Sequence, residues 1–297
     1  MADADRSVNM ARRAFFLVLF STCATSTSSL FIRFSTCPSM VLVAYRNVIA
    51  ALLLLPLILT KYRREMASLD RKTVLVSMAA GICFAVHLTL YFTAIHNTTI
   101  AATLVLTGME VIVVALFLFF TGQERYSAAG WAGIMITLAG GVLVSAAGGG
   151  EGSMTLFGNL MAAASSLFIA AWTLISNRVR KKISNIPHVF IAFLTAGVFL
   201  CLFVPAGGTP LFGYGSVNYL CAFMMAIVSS LLSHAVFTWS FKYISPTLVS
   251  LMKLSTPVWG ALWAVLLFAE VPLWNQAVGG IIVTAGIVLY LRKKNKQ

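Results

Sequence analysis

Acidic residues are scarce in this chain of 297 residues: eight Asp and Glu stand against 21 Lys and Arg, a formal net charge of +13. Charged residues of either sign make up only 10% of the sequence, whereas 60% of it is hydrophobic and its mean hydropathy is +0.92. This composition excludes a water-soluble globular domain. The basic residues form short clusters between long apolar runs, which indicates anchoring of membrane-spanning helices at an anionic leaflet rather than nucleic-acid binding.

Cysteine is also rare, and its spacing indicates neither a disulfide framework nor a metal site. No CxxC or HExxH motif occurs, and no pair of acidic residues lies deep in an apolar run. We therefore expect no metal, no cofactor and no enzymatic activity. The five cysteines are Cys23, Cys37, Cys83, Cys201 and Cys221.

The apolar runs have the length of membrane-spanning helices, since a hydrocarbon core needs about 20 residues of α-helix. Nothing in the chain alternates like a membrane β-barrel. The first run is followed by many further spans, so we interpret it as a retained helix and not as a cleaved signal. We predict an all-α integral membrane protein with ten transmembrane helices. The predicted spans cover residues 14–33, 39–60, 73–95, 99–121, 128–147, 154–176, 187–206, 216–240, 247–268 and 273–291.

The distribution of Lys and Arg predicts the orientation of these helices. Basic residues fill the N-terminus and the segments 61–72, 178–182 and 292–296. The loops at 148–153 and 207–215 contain none. Because basic loops stay on the cytoplasmic side, we predict that both termini are cytoplasmic and that the protein lies in the cytoplasmic (inner) membrane.

An internal repeat divides the chain into two halves of five helices. A shift of 146 positions places Glu124 on Glu270 and aligns the glycines of the fifth and tenth helices. Five crossings is an odd number, so the second half must enter the membrane upside down relative to the first. We predict two inverted five-helix repeats, residues 1–147 and 154–297. Inverted repeats are typical of secondary transporters.

With these features the chain resembles the EamA-type branch of the drug/metabolite transporter superfamily over nearly its whole length. The resemblance rests on the two five-helix halves, on the Gly-rich fifth and tenth helices, and on a Glu after the fourth and after the ninth helix. The matching segments are Gly122-Gln-Glu-Arg125, Phe268-Ala-Glu-Val-Pro272, Tyr45-Arg46 and Leu254-Ser-Thr-Pro-Val258. The resemblance implies a central cavity lined by helices one to four and six to nine, with helices five and ten at the periphery.

Three charged residues lie inside the predicted spans, where an isolated charge costs several kcal/mol. Arg46 lies roughly 10 Å from the outer end of its helix and Lys253 roughly 9 Å from the inner end of its own, so each can also act as a headgroup anchor. Glu110 lies about 16 Å deep and is too short to reach either interface. It belongs to the pair Glu110-Val111, where the EamA pattern usually has a proline. Glu110 either pairs with Arg46, or one or both of these residues face the solute.

The uncharged candidates are hydroxyl-bearing, histidine and aromatic side chains. The first helix is dense in Ser and Thr, including Ser26, which predicts interhelical hydrogen bonds or cavity lining. His87 and His234 lie in the equivalent third and eighth helices, one position apart under the repeat shift, and they are either packing residues or members of a proton pathway. The aromatic candidates for stacking on a solute ring or cation are Tyr45, Tyr91, Trp172 and Trp239.

These features favour a secondary transporter over a membrane enzyme or a passive channel, because catalytic motifs and filter-like Gly repeats are missing from the sequence. The first hypothesis is a permease or exporter of amino acids or similar zwitterions, with Arg46 binding the carboxylate and Glu110 the amine. The alternative is a carrier of organic cations such as quaternary amines, in which Glu110 acts with aromatic residues. A proton bound by Glu110 is the candidate coupling ion.

The expected partners are a small-molecule solute and the lipid bilayer, with no nucleic acid. Gly133 and Gly140 are spaced for close helix packing, which serves either a monomer or a homodimer. The sequence leaves both oligomeric states open, together with the direction of transport.

Overall fold

The computed structural model describes residues 2–98, 100–146, 155–268 and 274–294, and every regular element in these ranges is a helix. The predicted all-α fold is therefore confirmed, while the predicted link at 148–153 and Glu270 lie outside the described residues. The helices of the first half are α1 (Ala2–Ser26), α2 (Ser28–Phe34), α3 (Ser39–Leu59), α4 (Arg63–Ala67), α5 (Arg71–Asn97), α6 (Ile100–Gly108), α7 (Glu110–Phe120) and α8 (Ala128–Ala146). Those of the second half are α9 (Leu156–Val179), α10 (Asn185–Ala206), α11 (Ser216–Met225), a π-helical segment (Ala226–His234), α12 (Ala235–Ser240), α13 (Pro246–Lys253), α14 (Thr256–Phe268) and α15 (Trp274–Lys294).

Seven helical stretches of the described chain are long and apolar enough to cross a membrane. Two shorter apolar stretches lie in α8 and α15. The protein is therefore a multi-pass integral membrane protein, whereas the number of ten crossings stays a prediction. The seven stretches are Val8–Ile32, Ser39–Leu59, Arg71–Asn97, Thr103–Phe120, Leu156–Val179, Asn185–Ala206 and Ser216–Ser240.

Four of the predicted spans are not continuous α-helices, which corrects the sequence-based prediction. The first is interrupted at Thr27, the fourth at Met109, and the ninth at Leu254 and Ser255. The eighth contains the π-helical segment, in which the backbone is wound more loosely than in an α-helix. Apolar runs predict that a segment spans the membrane, but they do not report such local changes of helix type.

The interruptions of the fourth and ninth helices are equivalent in the predicted repeat, since Met109 and Ser255 are 146 positions apart. In the ninth helix, Pro257 has no N–H to donate to the carbonyl four residues earlier, so the α-helical ladder stops there. In the fourth, Gly108 disfavours helix and packs closely on Leu254, because an added Cβ would lie 2.9 Å from the Leu254 Cδ2. Both breaks therefore have a local cause in the sequence.

The chain folds into two compact units that do not coincide with the predicted repeats. Unit 1 comprises residues 1–89 and 171–245, and unit 2 comprises residues 90–170 and 246–297. Each unit takes helices from both halves of the sequence, and α5 and α9 run from one unit into the other. The division at 147–154 thus remains a prediction about the sequence repeat.

In unit 2, α8 packs against α15 through glycines. A Cβ added at Gly133 would lie 2.9 Å from the Gly286 carbonyl oxygen, and one added at Gly140 would lie 2.9 Å from the Gly279 carbonyl oxygen. The two helices therefore run antiparallel, as expected for equivalent helices of an inverted repeat. These glycines contact helix α15 of the same chain, which accounts for their spacing without a homodimer.

In unit 1, α10 packs against α3. A Cβ added at Gly197 would lie 2.9 Å from the backbone nitrogen of Val48, so the two backbones approach closely. The α3 side chains Val41 to Ala44 are almost fully buried. This packing fixes the position of α3, the helix that carries Arg46.

Candidate functional site

Arg46 is a buried cation, and one of its nitrogen donors has no hydrogen-bond acceptor among the described residues. Its side chain is 4% exposed, and Nε donates a hydrogen bond of 2.9 Å to the hydroxyl of Ser230 in the π-helical segment. Nη2 is buried and has no hydrogen-bond acceptor among the described residues. A buried guanidinium donor without an acceptor is costly, so this atom is suited to an acceptor supplied by a ligand.

The π-helical segment opposite Arg46 is rich in serine hydroxyls, and α1 and α2 supply partners for them. The hydroxyls of Ser28 and Ser229 lie 2.6 Å apart. The Ser21 hydroxyl donates to the Leu232 carbonyl at 2.7 Å, and the Ser233 hydroxyl donates to the Ser21 carbonyl at 2.8 Å. These bonds satisfy polar groups of the loosely wound backbone and hold Ser230 in place beside Arg46.

Ser26 makes a contact within its own helix. Its side chain is 5% exposed, and its hydroxyl donates to the Cys23 carbonyl at 2.6 Å, three residues earlier. Neighbouring Thr27 donates to the Ala24 carbonyl at 2.7 Å in the same way. Such bonds loosen the helix at the point where α1 ends.

In unit 2, Glu110 pairs with Lys253. The ammonium of Lys253 lies 2.9 Å from Oε1 and 3.3 Å from Oε2, and the Ser250 hydroxyl donates to Oε1 at 3.0 Å. Lys253 therefore does not extend to a headgroup layer, as the sequence allowed, but directs its charge onto a carboxylate within the protein. The sequence analysis considered Arg46 as the partner of Glu110, whereas in the structure Glu110 pairs with Lys253.

Both charges of this pair lie at helix breaks. Glu110 is the first residue of α7 and Lys253 the last residue of α13. The N-terminus of a helix carries a partial positive charge and the C-terminus a partial negative charge, so each side chain is favourably placed on its own helix. The two half-helices thus meet where an acid, an ammonium and a hydroxyl are buried together.

The other ends of α7 and α13 are also joined. The hydroxyl of Tyr126, which follows α7, donates to Oε2 of Glu124 at 2.9 Å and lies 2.7 Å from the Thr247 hydroxyl in the first turn of α13. Burial and the negative charge of Glu124 raise the pKa of Tyr126, so its hydroxyl stays protonated at neutral pH. The half-helices α7 and α13 are therefore antiparallel and connected by side chains at both ends.

The candidate histidines His87 and His234 flank one aromatic ring. The ring centroids lie 6.2 Å and 4.7 Å from that of Phe84, respectively. Trp172 is 1% exposed, and its ring lies 4.9 Å from Phe84 and 6.5 Å from Phe193. Trp172 is thus part of the aromatic core of unit 1, which favours a packing role over solute stacking.

His188 is a buried polar residue that the sequence did not single out. It is fully buried, with Nδ1 3.1 Å from the Ser77 hydroxyl and Nε2 3.0 Å from the Ser176 hydroxyl, and its ring stacks on Trp172 at 5.9 Å. One hydroxyl accepts and the other donates, which matches a neutral imidazole. The sequence analysis did not select His188, because it lies at the start of a predicted span, close to the basic segment 178–182.

The remaining aromatic candidates each contact a neighbouring ring or carbonyl. The Tyr45 hydroxyl donates to the Leu211 carbonyl, and its ring centroid lies 5.3 Å from that of Tyr219. The Tyr91 ring lies 5.5 Å from Phe92. The Trp239 ring lies 4.7 Å from that of Tyr243.

Metal ligands are not gathered in the described part of the chain. Over those residues, no group of three or more His, Cys, Asp or Glu side chains is placed to hold a metal ion. The chemistry available at the buried sites is therefore that of a guanidinium, an ion pair and hydroxyl groups.

Comparison with known proteins gives consistent results. The sequence matches the EamA-like transporter family twice, over residues 12–146 and 156–292. It is 24% identical over 209 residues to an uncharacterized transporter from Archaeoglobus fulgidus. The aligned region covers 69% of this chain and 71% of that protein. A crystal structure of another protein matches with a TM-score of 0.77 at 19% identity, covering 94% of this chain and 96% of that one, which shows a shared fold.

Proposed function

Because the chain belongs to the EamA-like transporter family, we propose that it is a secondary transporter that moves a small organic solute by alternating access. The proposed solute is an amino acid or a similar zwitterion. The buried guanidinium of Arg46 in unit 1 supports this choice.

The observation that carries the proposal is the unpaired donor of Arg46. Arg46 is buried, its Nη2 lacks an acceptor among the described residues, and no carboxylate neutralises it there. A carboxylate would supply both the charge and the acceptors, and the planar guanidinium matches the geometry of its two oxygens. We therefore assign the carboxylate of the solute to Arg46.

Unit 2 shows how this chain holds an ammonium. Glu110 and Ser250 bind that of Lys253 through oxygen acceptors. Discontinuous helices near the bilayer midplane are where many secondary transporters bind solutes and coupling ions. A permanent organic cation would offer Arg46 no anion, so we favour the amino-acid hypothesis over the cation hypothesis.

We also propose that a proton on Glu110 couples to transport. Protonation of Glu110 would remove the negative charge opposite Lys253 and leave that ammonium without its carboxylate partner. A site that changes its charge in this way can alternate between two states of the carrier.

The proposed orientation places both termini in the cytoplasm of a cell whose inner membrane holds the protein. It is supported by exposed basic residues in the loops after α3 and α9 and by the lack of Lys and Arg at 207–215. Phe212→Cys and Ser68→Cys, each in a cysteine-free background, test the orientation with a membrane-impermeant thiol reagent. Labelling from outside intact cells is expected at position 212. Labelling at position 68 instead would show that the orientation is the reverse of the one proposed.

The transported class is tested with purified protein in liposomes that contain a radiolabelled amino-acid mixture. Amino acids added outside should exchange with the label, and quaternary ammonium compounds should not compete. Competition by quaternary amines, without exchange by any amino acid, would replace this proposal by the organic-cation alternative. Empty liposomes and the Arg46→Gln variant are the controls.

A further inference from the structure

One end of unit 1 carries an unusual concentration of exposed positive charge. The cations come from three connections: α3 to α5, α9 to α10, and α12 to α13. We call this surface the basic face. Its exposed members are Lys61, Arg63, Arg64, Arg71, Lys72, Arg178, Lys181, Lys182 and Lys242.

Hydrogen bonds join the first connection to the second, and the second to helix α12, which leads into the third. The carboxylate of Glu65 in α4 accepts a bond of 2.6 Å from the backbone N–H of Ser184. Arg180 is buried, and its Nε donates to the Thr238 carbonyl at 3.3 Å. The Thr238 hydroxyl donates to Oδ1 of Asn185 at 2.9 Å. The basic face is therefore a single ordered surface and not three independent loops.

Acidic residues do little to neutralise this face. Glu65 is directed to Ser184, and Asp70 accepts a hydrogen bond of 3.2 Å from the N–H of Thr73 at the start of α5. That hydrogen bonding, with a contribution from Lys182, lowers the pKa of Asp70, so it is ionised at neutral pH. Within the three connections, residues 60–70, 180–184 and 241–245, Glu65 and Asp70 are the acidic residues, beside nine exposed cations of the basic face.

Aromatic residues accompany the exposed cations of the basic face. Beside Lys242, the rings of Trp239 and Tyr243 pack at 4.7 Å and are half-buried. Aromatic residues of this kind are common at the headgroup level of membranes.

The depth of the cations indicates which anion they meet. Arg71 is the first residue of α5, and Arg178 lies in the last turn of α9, so both are at the ends of apolar helices. Lipid headgroups occupy this level of the bilayer, and the phosphates of anionic lipids are held there at high local concentration. A soluble phosphate has no such reason to be concentrated at this surface.

We propose that the basic face binds the headgroups of anionic phospholipids, with phosphatidylglycerol-type lipids retained selectively over phosphatidylcholine. Arg63 and Arg64 supply planar donors for phosphate oxygens, and Lys181 and Lys182 supply flexible ammonium groups. This inference concerns a surface other than the proposed solute sites and does not depend on the identity of the solute.

The test is lipid retention by the purified full-length protein. The protein is placed in nanodiscs of equal parts phosphatidylglycerol and phosphatidylcholine, released into neutral detergent, and its bound lipids are counted by native mass spectrometry. Wild type should retain phosphatidylglycerol preferentially. A variant with Arg63, Arg64, Lys181 and Lys182 changed to Gln should lose that preference by about tenfold or more, since each cation near a membrane surface adds to the attraction for anionic headgroups.

The matched control removes four cations from unit 2, with Arg125, Arg292, Lys293 and Lys294 changed to Gln. Its lipid preference should stay within about twofold of wild type. Equal loss in both variants, or no loss in the first, would overturn the proposal. Displacement of the lipid by millimolar inorganic phosphate would show that the face takes free phosphate instead.

A second measurement needs no variant. In wild type, phosphatidylglycerol retention should fall steeply between 50 and 500 mM NaCl, because the screening length for exposed charges shortens from about 14 Å to about 4 Å in this range, while phosphatidylcholine retention should not change. Retention that does not depend on salt would contradict electrostatic binding.

Discussion

The ammonium of Lys253 lies 2.9 Å from Oε1 of Glu110, although 143 residues separate them in the sequence. The contact joins the start of α7 to the end of α13, and both points are helix breaks at equivalent positions of the predicted repeat. An ion pair at this depth is unstable if one partner is removed, because the remaining charge is left in a poorly solvated place.

The first prediction is that Glu110→Gln destabilises the protein by about 3 kcal/mol, the usual cost of breaking a buried pair. The combination of Glu110→Gln with Lys253→Met should recover most of the loss, since no charge is then left without a partner. Melting temperatures in detergent provide the measurement. If Glu110→Gln is recovered by Arg46→Gln instead, the relevant partner of Glu110 is Arg46.

The second prediction concerns the pH dependence of transport. If Glu110 carries the coupling proton, transport by the double variant Glu110→Gln/Lys253→Met should be insensitive to a pH gradient across the liposome, although exchange of solute inside and outside continues. The assay compares net uptake with and without the gradient. A well-folded double variant that keeps the wild-type gradient dependence would remove Glu110 from the coupling mechanism.

The fold class and the presence of a deep acid could be derived from the sequence. The apolar runs predicted the helices, and the predicted depth of Glu110 followed from its distance to the ends of its span. The partner of Glu110 could not be derived, because periodicity and length give the depth of a residue but not which helices are neighbours. Arg46 was considered as the partner because its predicted depth is close to that of Glu110. The long side chain of Lys253, however, also reaches Glu110.

The helix breaks and the buried histidine were hidden for related reasons. Pro257 and Gly108 lie beside the breaks in the ninth and fourth helices, but apolar runs alone do not distinguish a break from a continuous span. Hydropathy does not distinguish the π-helical segment from its flanks, because its Ala, Ile, Val and Leu residues offset its three serines and one histidine. His188 is buried between Ser77 and Ser176, which come from two other helices, and only the assembled unit brings these residues together.

The third prediction is that the hydrogen bonds of the Tyr126 hydroxyl, at the ends of α7 and α13 opposite the Glu110–Lys253 pair, also stabilise these two half-helices. Tyr126→Phe removes a hydroxyl that contacts both Glu124 and Thr247, and should lower stability by about 1 kcal/mol. The control is Tyr214→Phe, whose hydroxyl donates to the Pro210 carbonyl in an exposed loop, and it should have a smaller effect. Equal melting temperatures for wild type and Tyr126→Phe would contradict the prediction.

The fourth prediction uses the glycines of α8. Gly133→Ala should destabilise the protein by about 1 to 3 kcal/mol, because the new methyl would lie 2.9 Å from the Gly286 carbonyl oxygen and from the Tyr290 nitrogen. Gly130→Ala in the same helix meets nothing closer than 3.6 Å and should be neutral. Thermal unfolding in detergent compares the two. If Gly133→Ala melts like Gly130→Ala, the close approach of α8 and α15 is wrong.

The last prediction concerns Arg46. Lysine keeps the charge but lacks the planar pair of donors, so Arg46→Lys should bind a carboxylate-bearing solute about tenfold more weakly, and Arg46→Gln more weakly still. The matched control is Arg125→Gln, which removes an exposed arginine and should bind like wild type. Arg46→Lys with wild-type affinity would show that the positive charge alone is enough.

The central claim is tested most directly by calorimetric binding of two ligands: the amino acid that exchanges best in liposomes, and the amine that remains when its carboxylate is removed. Wild type should bind the amino acid at least about tenfold more tightly than the amine, and Arg46→Gln should lose this difference while remaining folded. An unchanged preference for the amino acid in folded Arg46→Gln would contradict the assignment of Arg46 as the carboxylate-binding residue.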